Sequence, residues 1–240
     1  MTNDTRVDKL PAAILDLAKR TEELLARQAS NPSQRMLVAL AGVPGAGKST
    51  VSDALLIELA ARDIKDVAIV PMDGFHYTRQ VLSTFANADV AFKRRGAPFT
   101  FDAEGCVKLV KSLKTAPVTT DGEEELCITA PTFDHAAKDP VENGISISSR
   151  TRFIIIEGNY TLLKQKPWDE IAGICDERWF VDAPVEAVRD RLAQRHLAAG
   201  IESSKAAAIA RAEENDIPNG ELIRSLLIKP DVIIENRWGF

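Results

Sequence analysis

A glycine-rich segment between an apolar run and a helical pattern limits the folds open to this 240-residue chain. After the apolar residues 37–41, the chain continues as Gly42, Val43, Pro44, Gly45, Ala46, Gly47, Lys48, Ser49 and Thr50. Glycines let the backbone turn with its N–H groups pointing inward, and the following helix N-terminus also favours anions, so the segment can bind a polyphosphate. In such a loop the lysine reaches the β- and γ-phosphates and the serine hydroxyl binds Mg²⁺. These nine residues therefore predict a phosphate-binding P-loop, rather than an ordinary glycine-rich loop.

Composition sets the size and class of the domain. With 45% hydrophobic and 27% charged residues, the chain can bury one sizeable α/β core, and we expect a single domain over residues 1–240. The net charge of −5 argues against nucleic acid or an anionic membrane as the main partner. Three widely spaced cysteines form neither a disulfide framework nor a zinc pattern. The expected location is the cytoplasm, with access to the nucleus left open.

The first 30 residues predict an amphipathic helix. Its apolar positions recur at helical spacing at Ile14, Leu17, Ala18, Leu24 and Leu25. The ordinary interpretation is a helix that packs on the core, and the alternative is a helix whose apolar face binds a partner protein.

A second strand, predicted over residues 67–70, ends shortly before Asp73. In an open parallel sheet the ligand lies beyond the carboxyl ends of the strands, so Asp73 is expected on the same edge as the P-loop. Phosphoryl transfer needs a general base near the terminal phosphate, and a carboxylate there can accept the proton of a substrate hydroxyl. The alternative is that Asp73-Gly74 is only a turn.

A continuous apolar run over residues 153–156 predicts a buried parallel strand that ends at Glu157-Gly158. This resembles a Walker B element with glutamate in place of the commoner aspartate. Glu157 is therefore a candidate for the Mg²⁺ site or the γ-phosphate region, and an ordinary strand-ending carboxylate is the alternative.

Two segments together, 42–49 and Asp73-Gly74-Phe75-His76, resemble the phosphoribulokinase, uridine kinase and bacterial pantothenate kinase family of P-loop kinases. The chain is similar to the nucleoside/nucleotide kinase-like branch, which includes an ATP-dependent yeast kinase of unassigned substrate. The resemblance implies the P-loop NTPase fold, with a mainly parallel sheet, helices on both faces, a small lid and a hairpin excursion. It also implies ATP and Mg²⁺ as cofactors, Asp73 as the catalytic base, His76 in the acceptor pocket and Glu157 beside the metal.

The resemblance further implies a set of acceptor-side residues, which are Arg94, Arg95, Asp102, Phe133, Asp134 and His135. The charges at 93–95 either hold an anionic substrate or are solvated on a loop. Asp102 is also a plausible N-cap for a helix over 103–114. Short strands at 118–120 and 125–130, joined by the acidic turn 121–124, predict a hairpin over the site. Uridine kinases have tyrosine at the place of Phe133, which argues against a uridine-type pocket.

Residues 184–216 predict a lid and the helix that follows it. Arg191 and Arg195 are four residues apart on one predicted helix face. By resemblance they are candidates to stabilise the transferring phosphoryl group, and solvated surface arginines are the alternative. A helix over 203–215 is expected to be interrupted at 216–220, and the roles of Asn215 and Asn219 are left open.

These observations favour an ATP- and Mg²⁺-dependent kinase that phosphorylates a hydroxyl of a small metabolite. Nucleoside, pantothenate-like and sugar or sugar-phosphate acceptors all stay open, with a mild preference for an anionic one, and a homodimer is possible. The alternative is a nucleotide-dependent switch or regulatory ATPase that acts on a protein partner through the N-terminal helix. A GTPase is disfavoured because the chain has no Asn-Lys-x-Asp guanine-reading motif.

Overall fold

A computed structural model of the chain describes residues 9–236. The helices within this range are α1 (Lys9–Gln28), α2 (Lys48–Ala61), α3 (Arg79–Ser83), α4 (Ala88–Lys93), α5 (Ala103–Thr115), α6 (Asp169–Ile174), α7 (Val185–Ala198), α8 (Lys205–Arg211) and α9 (Ile217–Ser225). The strands are β1 (Met36–Gly42), β2 (Val67–Pro71), β3 (Cys127–Asp134), β4 (Asp139–Ser148), β5 (Phe153–Gly158), β6 (Glu177–Asp182) and β7 (Val232–Glu235). In this part of the chain, no helix has both the length and the apolar character needed to cross a membrane.

Five of the strands form one parallel sheet in the order β2-β5-β1-β6-β7, which confirms the predicted α/β class. The central strands are apolar on both faces, and every side chain in 37–41 and 153–156 is at most 1% exposed. A strand buried on both faces reads as a continuous hydrophobic run because helices cover the sheet from both sides. The N-terminal parts of these strands therefore lie in the core, and their polar carboxyl ends reach one edge of the sheet.

The register places the candidate residues at that edge. Glu157 of β5 pairs with Leu40 of β1 on one side and with Pro71 of β2 on the other. The P-loop follows β1, and Asp73 follows β2 in a single 3₁₀ turn, Met72–Phe75. The strand order thus brings three separate segments of the sequence to one place.

Helix α1 packs on the core with the face that the sequence predicted. Ile14, Leu17, Ala18, Leu24 and Leu25 are each at most 6% exposed. Burial of each leucine or isoleucine side chain stabilises the folded state by about 1.5–3 kcal/mol. The apolar face is therefore covered by the chain itself and is not available to a partner protein.

The predicted hairpin is wrong in its first strand and in its turn, whereas the strand predicted over 125–130 is the first half of β3. Residues 118–120 form no strand, and the acidic residues 121–124 do not join the two strands. Instead β3 pairs antiparallel with β4, so the connecting turn lies at 135–138. Proline lacks the N–H that a ladder requires, and Pro131 lies at a register shift between Ala130 and Thr132. This bulge lets β3 continue past the proline, where the sequence pattern indicated that it ends.

The interruption predicted at 216–220 is also wrong. The chain stays helical from α8 through a π-helical turn, Ala212–Asp216, into α9. Pro218 lies in the first turn of α9, where its missing N–H costs little, and the wider π turn absorbs the change in hydrogen bonding. The lid region is therefore a helical unit made of α7, α8, the π turn and α9.

Candidate active site

The P-loop has the backbone geometry that phosphate binding requires. Gly45 and Gly47 have φ angles of 73° and 89°, in the left-handed region that favours glycine. A Cβ atom on Gly42 would lie 2.5 Å from the carbonyl oxygen of Val181, so the close approach of β1 to β6 also requires glycine. The loop ends at α2, a helix of 14 residues whose N-terminus faces the same space. This arrangement can hold an anion with backbone N–H groups.

Lys48 lies at the centre of the site. Its Nζ atom donates a hydrogen bond of 2.6 Å to Oδ1 of Asn159 and a longer one of 3.4 Å to the carbonyl oxygen of Val43. Burial lowers the pKa of Lys48, the carboxylates of Glu157 and Asp73 oppose that effect, and Arg195 adds to it. The two carboxylates and the second cation are thus close enough to act on one ammonium group.

Ser49 and Glu157 form the candidate metal site. The serine Oγ atom lies 3.3 Å from one carboxylate oxygen of Glu157 and 3.2 Å from the other. Burial raises the pKa of Glu157, Asp73 adds to the increase, and Lys48 and the Ser49 hydrogen bond oppose it. Mg²⁺ prefers oxygen ligands and is usually bound by one or two carboxylates together with substrate phosphates. A hydroxyl and a half-buried carboxylate beside a phosphate loop fit that ion, which would neutralise phosphate charge when bound.

Asp73 is held by the backbone of its own turn. A Cβ atom on the next residue, Gly74, would lie 2.2 Å from the carbonyl oxygen of Pro131, so strand β3 packs directly against this turn. The backbone N–H of His76 donates to the carbonyl oxygen of Asp73 at 3.2 Å. The turn with Asp73 therefore lies at the sheet edge, directly after the pairing of Pro71 with Glu157.

His76 presents one ring nitrogen as a hydrogen-bond acceptor. Its Nδ1 atom lies 2.8 Å from the carbonyl oxygen of Asp73, and because a carbonyl can only accept, Nδ1 carries the proton. Burial lowers the pKa of His76, opposed by Asp73, so the neutral ring dominates at neutral pH. The centroid of the His76 ring lies 3.9 Å from that of Phe101 and 4.8 Å from that of Phe133. Its Nε2 atom can therefore accept a hydrogen bond from a hydroxyl compound.

Arg95 and Phe133, two of the residues predicted for the acceptor side, contact each other. The Arg95 guanidinium donates to Oδ1 of Asp139 at 2.8 Å and to the carbonyl oxygen of Tyr77 at 3.0 Å. Its carbon Cζ lies 5.5 Å from the centre of the Phe133 ring, within the range of a cation–π contact. Arg95 thus fixes the hairpin against the loop before α3.

Two other predicted acceptor residues, Asp102 and Asp134, form hydrogen bonds within their own segments. Asp102 caps α5, because its Oδ1 atom accepts the N–H of Gly105 at 2.9 Å, as the sequence predicted. Asp134 accepts the N–H groups of Ala136 and Ala137 in the hairpin turn and is exposed. His135 is exposed as well, with its ring 5.3 Å from Phe133. The structure accounts for Asp102 and Asp134 without a ligand, and it leaves His135 at the rim.

The lid helix α7 packs on the P-loop. Leu192 is fully buried, and its Cγ atom would lie 3.0 Å from a Cβ atom on Gly45. Nη1 of Arg191 lies 3.4 Å from the carbonyl oxygen of Gly45, and burial lowers the pKa of Arg191. Arg195 is exposed and lies one helical turn further along α7. Of the two arginines predicted for the lid, Arg191 contacts the phosphate loop directly.

Two asparagines of the site were missed by the sequence interpretation. Asn159 binds Lys48, as described above, and it follows the Glu157-Gly158 pair at the end of β5. Asn236 is buried after β7, and its Nδ2 atom donates to the carbonyl oxygen of Ala46 at 2.7 Å. Their position just past the carboxyl ends of parallel strands is the signal that could have indicated them.

The fold and the site define a P-loop nucleotide-binding protein of the α/β class. A family model described as the methylmalonyl-CoA mutase-associated GTPase MeaB matches residues 12–77. That range contains most of α1, together with β1, the P-loop, α2, β2 and the turn with Asp73, and it is well under half of the chain. It does not reach Glu157, the lid or the hairpin.

Full-length relatives show the family. A Schizosaccharomyces pombe protein provisionally named uridine kinase C227.14 is 37% identical over 221 residues, which cover 92% of this chain and 89% of that protein. ATP-dependent kinase YFH7 of Saccharomyces cerevisiae is 32% identical over 235 residues, which cover 87% of this chain and 67% of YFH7. The chain therefore belongs to the family of P-loop kinases that includes these proteins.

Solved structures agree with this assignment. The crystal structure of YFH7 from Saccharomyces cerevisiae, described as a P-loop kinase with a circular permutation, has a TM-score of 0.80 and 26% identity, and the match covers 95% of this chain and 99% of that one. A protein from Silicibacter sp. TM1040, provisionally named as a fructose transport system kinase, has a TM-score of 0.74 and 33% identity. That match covers 93% of this chain and 98% of the other.

Proposed function

We propose that this protein is an ATP- and Mg²⁺-dependent kinase that transfers the γ-phosphoryl group to a hydroxyl of a small metabolite. One arrangement carries the proposal: Asp73 comes two residues after Pro71, which pairs with Glu157, and the Glu157 carboxylate lies 3.2 Å from the Ser49 hydroxyl of the P-loop. A P-loop that only binds a nucleotide needs the lysine and a metal ligand. A second carboxylate at the same point is what transfer to a hydroxyl requires.

Each residue of the site has one task in this reaction. The P-loop N–H groups and Lys48 hold the β- and γ-phosphates, and Ser49 and Glu157 would hold Mg²⁺. Asp73 accepts the proton of the acceptor hydroxyl while that oxygen forms a bond to the γ-phosphorus. The bond between the γ-phosphorus and the bridging oxygen breaks, and ADP leaves with that oxygen. The products are the phosphorylated acceptor, ADP and a proton on Asp73 that passes to water.

The lid arginines complete the site. Arg191 already contacts the P-loop carbonyl of Gly45, and Arg195 lies one helical turn further along α7. Charge on the transferring group is stabilised most when water is excluded, and a helix that packs on the P-loop supplies both the cations and the cover. The partner in this proposal is a small hydroxy compound in the cytoplasm, not nucleic acid or a membrane.

The test is ADP release from Mg-ATP across a panel of nucleosides, vitamins, sugars and sugar phosphates. We expect one acceptor class to stimulate release, and Asp73→Asn to lower turnover by at least a hundredfold with little change in the Kd for ATP. Lys48→Ala should lower turnover and also weaken the binding of ATP. Asp121→Asn is the matched control, because the Asp121 side chain is fully exposed and lies outside the site.

The panel also separates the kinase from a nucleotide-dependent switch. A switch hydrolyses ATP with water alone, and its turnover is unaffected by any small hydroxy compound. The match to a GTPase family model covers only residues 12–77, and α1 within that range has its apolar face in the core. If no acceptor stimulates ADP release and Asp73→Asn behaves as the native protein, the kinase proposal is wrong.

A further inference from the structure

Three consecutive cations lie at the end of α4, and their partners differ in charge. Lys93 is exposed and forms an ion pair of 3.1 Å with Glu214. Arg95 forms one of 2.8 Å with Asp139. The middle residue, Arg94, instead donates from Nε to Oδ1 of Asn215, as described next.

Two neutral amides hold the guanidinium of Arg94. Its Nε atom donates to Oδ1 of Asn215 and its Nη2 atom donates to Oδ1 of Asn219, both at 3.1 Å. Within residues 9–236 no carboxylate forms an ion pair with Arg94, and Nη1 donates no hydrogen bond. Amide oxygens fix the direction of the guanidinium without cancelling its charge. Arg94 therefore has a fixed orientation and keeps N–H groups that can donate to a ligand.

The amides themselves are fixed in place. Asn215 and Asn219 are only 4% and 2% exposed. Nδ2 of Asn215 donates to the carbonyl oxygen of Arg95 at 3.0 Å, which settles the orientation of that amide. Asn215 belongs to the π turn before α9, and such turns occur frequently at functional sites. Burial of two amides is costly unless both are hydrogen-bonded, and here both are bonded to the same guanidinium.

Arg94 lies on the acceptor side of the site, close to the proposed base. The hydroxyl of Tyr160 donates to the carbonyl oxygen of Gly96, two residues beyond Arg94. Burial raises the pKa of Tyr160, Asp216 and Asp73 add to the increase, and Arg94 opposes it. Asp216 faces His196, whose Nε2 atom is 3.3 Å away. The centroid of the Tyr160 ring lies 5.6 Å from that of Phe101, and the Phe101 ring lies 3.9 Å from that of His76, which places Arg94 on the acceptor side. Lys48 and Arg191 instead contact carbonyl oxygens of the P-loop.

We propose that Arg94, oriented by Asn215 and Asn219, binds a phosphate or carboxylate group of the acceptor, so that the substrate is an acidic hydroxy compound. This inference rests on the proposed kinase function. A guanidinium presents parallel N–H donors that match the two oxygens of an oxyanion, and such charge-assisted pairs are stronger than neutral ones. Asn215 and Asn219 are positioning residues in this scheme, since they act through Arg94.

The test uses acceptor pairs that differ in one acidic group: ribose 5-phosphate with ribose, fructose 6-phosphate with fructose, and D-glycerate with glycerol. The native protein should release ADP with at least one acidic member at a kcat/KM roughly a hundredfold above that of its neutral partner. The phosphate and carboxylate pairs distinguish the two oxyanions. Arg94→Gln should raise KM for the acidic acceptor by about tenfold to a hundredfold, as expected for the loss of a charge-assisted pair, with the Kd for ATP unchanged.

Two further variants make the test specific. Asn219→Asp keeps the shape of the side chain and adds a carboxylate that neutralises the guanidinium, so the preference for the acidic acceptor should largely disappear while the protein stays folded. A merely structural role for Asn219 would lower activity with both members of a pair equally. Arg150→Gln is the matched control, because Arg150 is exposed and pairs with Asp121 and Glu125 away from the site. It should leave the preference unchanged.

Failure of this inference differs from failure of the kinase proposal. If a neutral acceptor is preferred and Arg94→Gln has no effect on its KM, the anion site is refuted and the kinase stands. If no acceptor stimulates ADP release, calorimetric titration of ribose 5-phosphate and D-glycerate with Mg-ADP present decides. Binding that Arg94→Gln abolishes supports the anion site even though transfer has failed. The absence of binding to the native protein overturns it.

Discussion

The ammonium of Lys48 lies 2.6 Å from the amide oxygen of Asn159, a residue 111 positions away. The lysine is therefore held by a neutral group. Within residues 9–236, Lys48 and Glu157 form no direct ion pair. A lysine paired with a carboxylate must break that pair before it binds phosphate. An amide holds the side chain in place and leaves the charge available.

Removal of the Asn159 amide should weaken Mg-ATP binding. Hydrogen bonds to charged groups contribute about 1.5–3 kcal/mol, so we expect Asn159→Ala to raise the Kd for Mg-ATP by at least tenfold in calorimetric titration. Asn159→Asp should weaken binding further, because its carboxylate would compete with phosphate for Lys48. If Asn159→Asp binds Mg-ATP as tightly as the native protein, the amide does not have this role.

Gly74 should tolerate no side chain, because a Cβ atom there would lie 2.2 Å from the backbone oxygen of Pro131. Overpacking typically costs about 1–3 kcal/mol, and here the turn with Asp73 and strand β3 must move apart. We expect Gly74→Ala to lower the free energy of unfolding in urea and to lower kcat. In the control Gly173→Ala, nothing lies within 4 Å of the new Cβ atom, and this helical site should gain up to about 1 kcal/mol. Equal stability of the two variants would contradict the packing argument.

The sequence predicted the parts of the fold that depend on local pattern. The apolar runs of β1 and β5 could be recognised because strands buried on both faces lack alternation. Asp73 and Glu157 could be placed together because the carboxyl ends of parallel strands meet at one edge of the sheet. The cap at Asp102 followed from its side-chain chemistry and its place before a helix.

The failures involve partners that are distant in the sequence. Pro131 indicated the end of a strand, but pairing with β4 and a bulge carry β3 past it. Pro218 indicated a break, but the π turn lets the helix continue. No pattern shows that Asn215 will bind Arg94, since the two residues are 121 positions apart and an amide has no fixed preference of partner.

The three cysteines should differ in reactivity. Cys106 is 1% exposed, and burial raises its pKa to about 12; burial also raises the pKa of Cys175. Cys127 is exposed on β3. Because the thiolate is the nucleophile, we expect one fast-reacting thiol per native chain with Ellman's reagent at pH 8, and three after unfolding. Cys175 is half-buried and should react more slowly than Cys127. Cys127→Ser should remove the fast phase, and a fast-reacting thiol that persists in that variant would contradict this order of reactivity.

Glu157 should reduce the stability of the protein in the absence of metal. Its pKa is raised by burial in the folded state, so the folded protein holds that proton to a higher pH than the unfolded chain does. The stability linked to this group is therefore present below the ordinary glutamate pKa, about 4.3, and is lost as pH rises through the folded pKa.

Glutamine cannot ionise, so without Mg²⁺ the variant Glu157→Gln should be more stable than the native protein at pH 7.5. The difference in stability should shrink towards pH 4.5. With Mg-ATP the order should reverse, because the native protein gains binding energy that the variant lacks. Urea unfolding at the two pH values measures both effects. A variant that is less stable than the native protein at pH 7.5 without Mg²⁺ would show that the half-buried carboxylate stabilises the fold through Lys48.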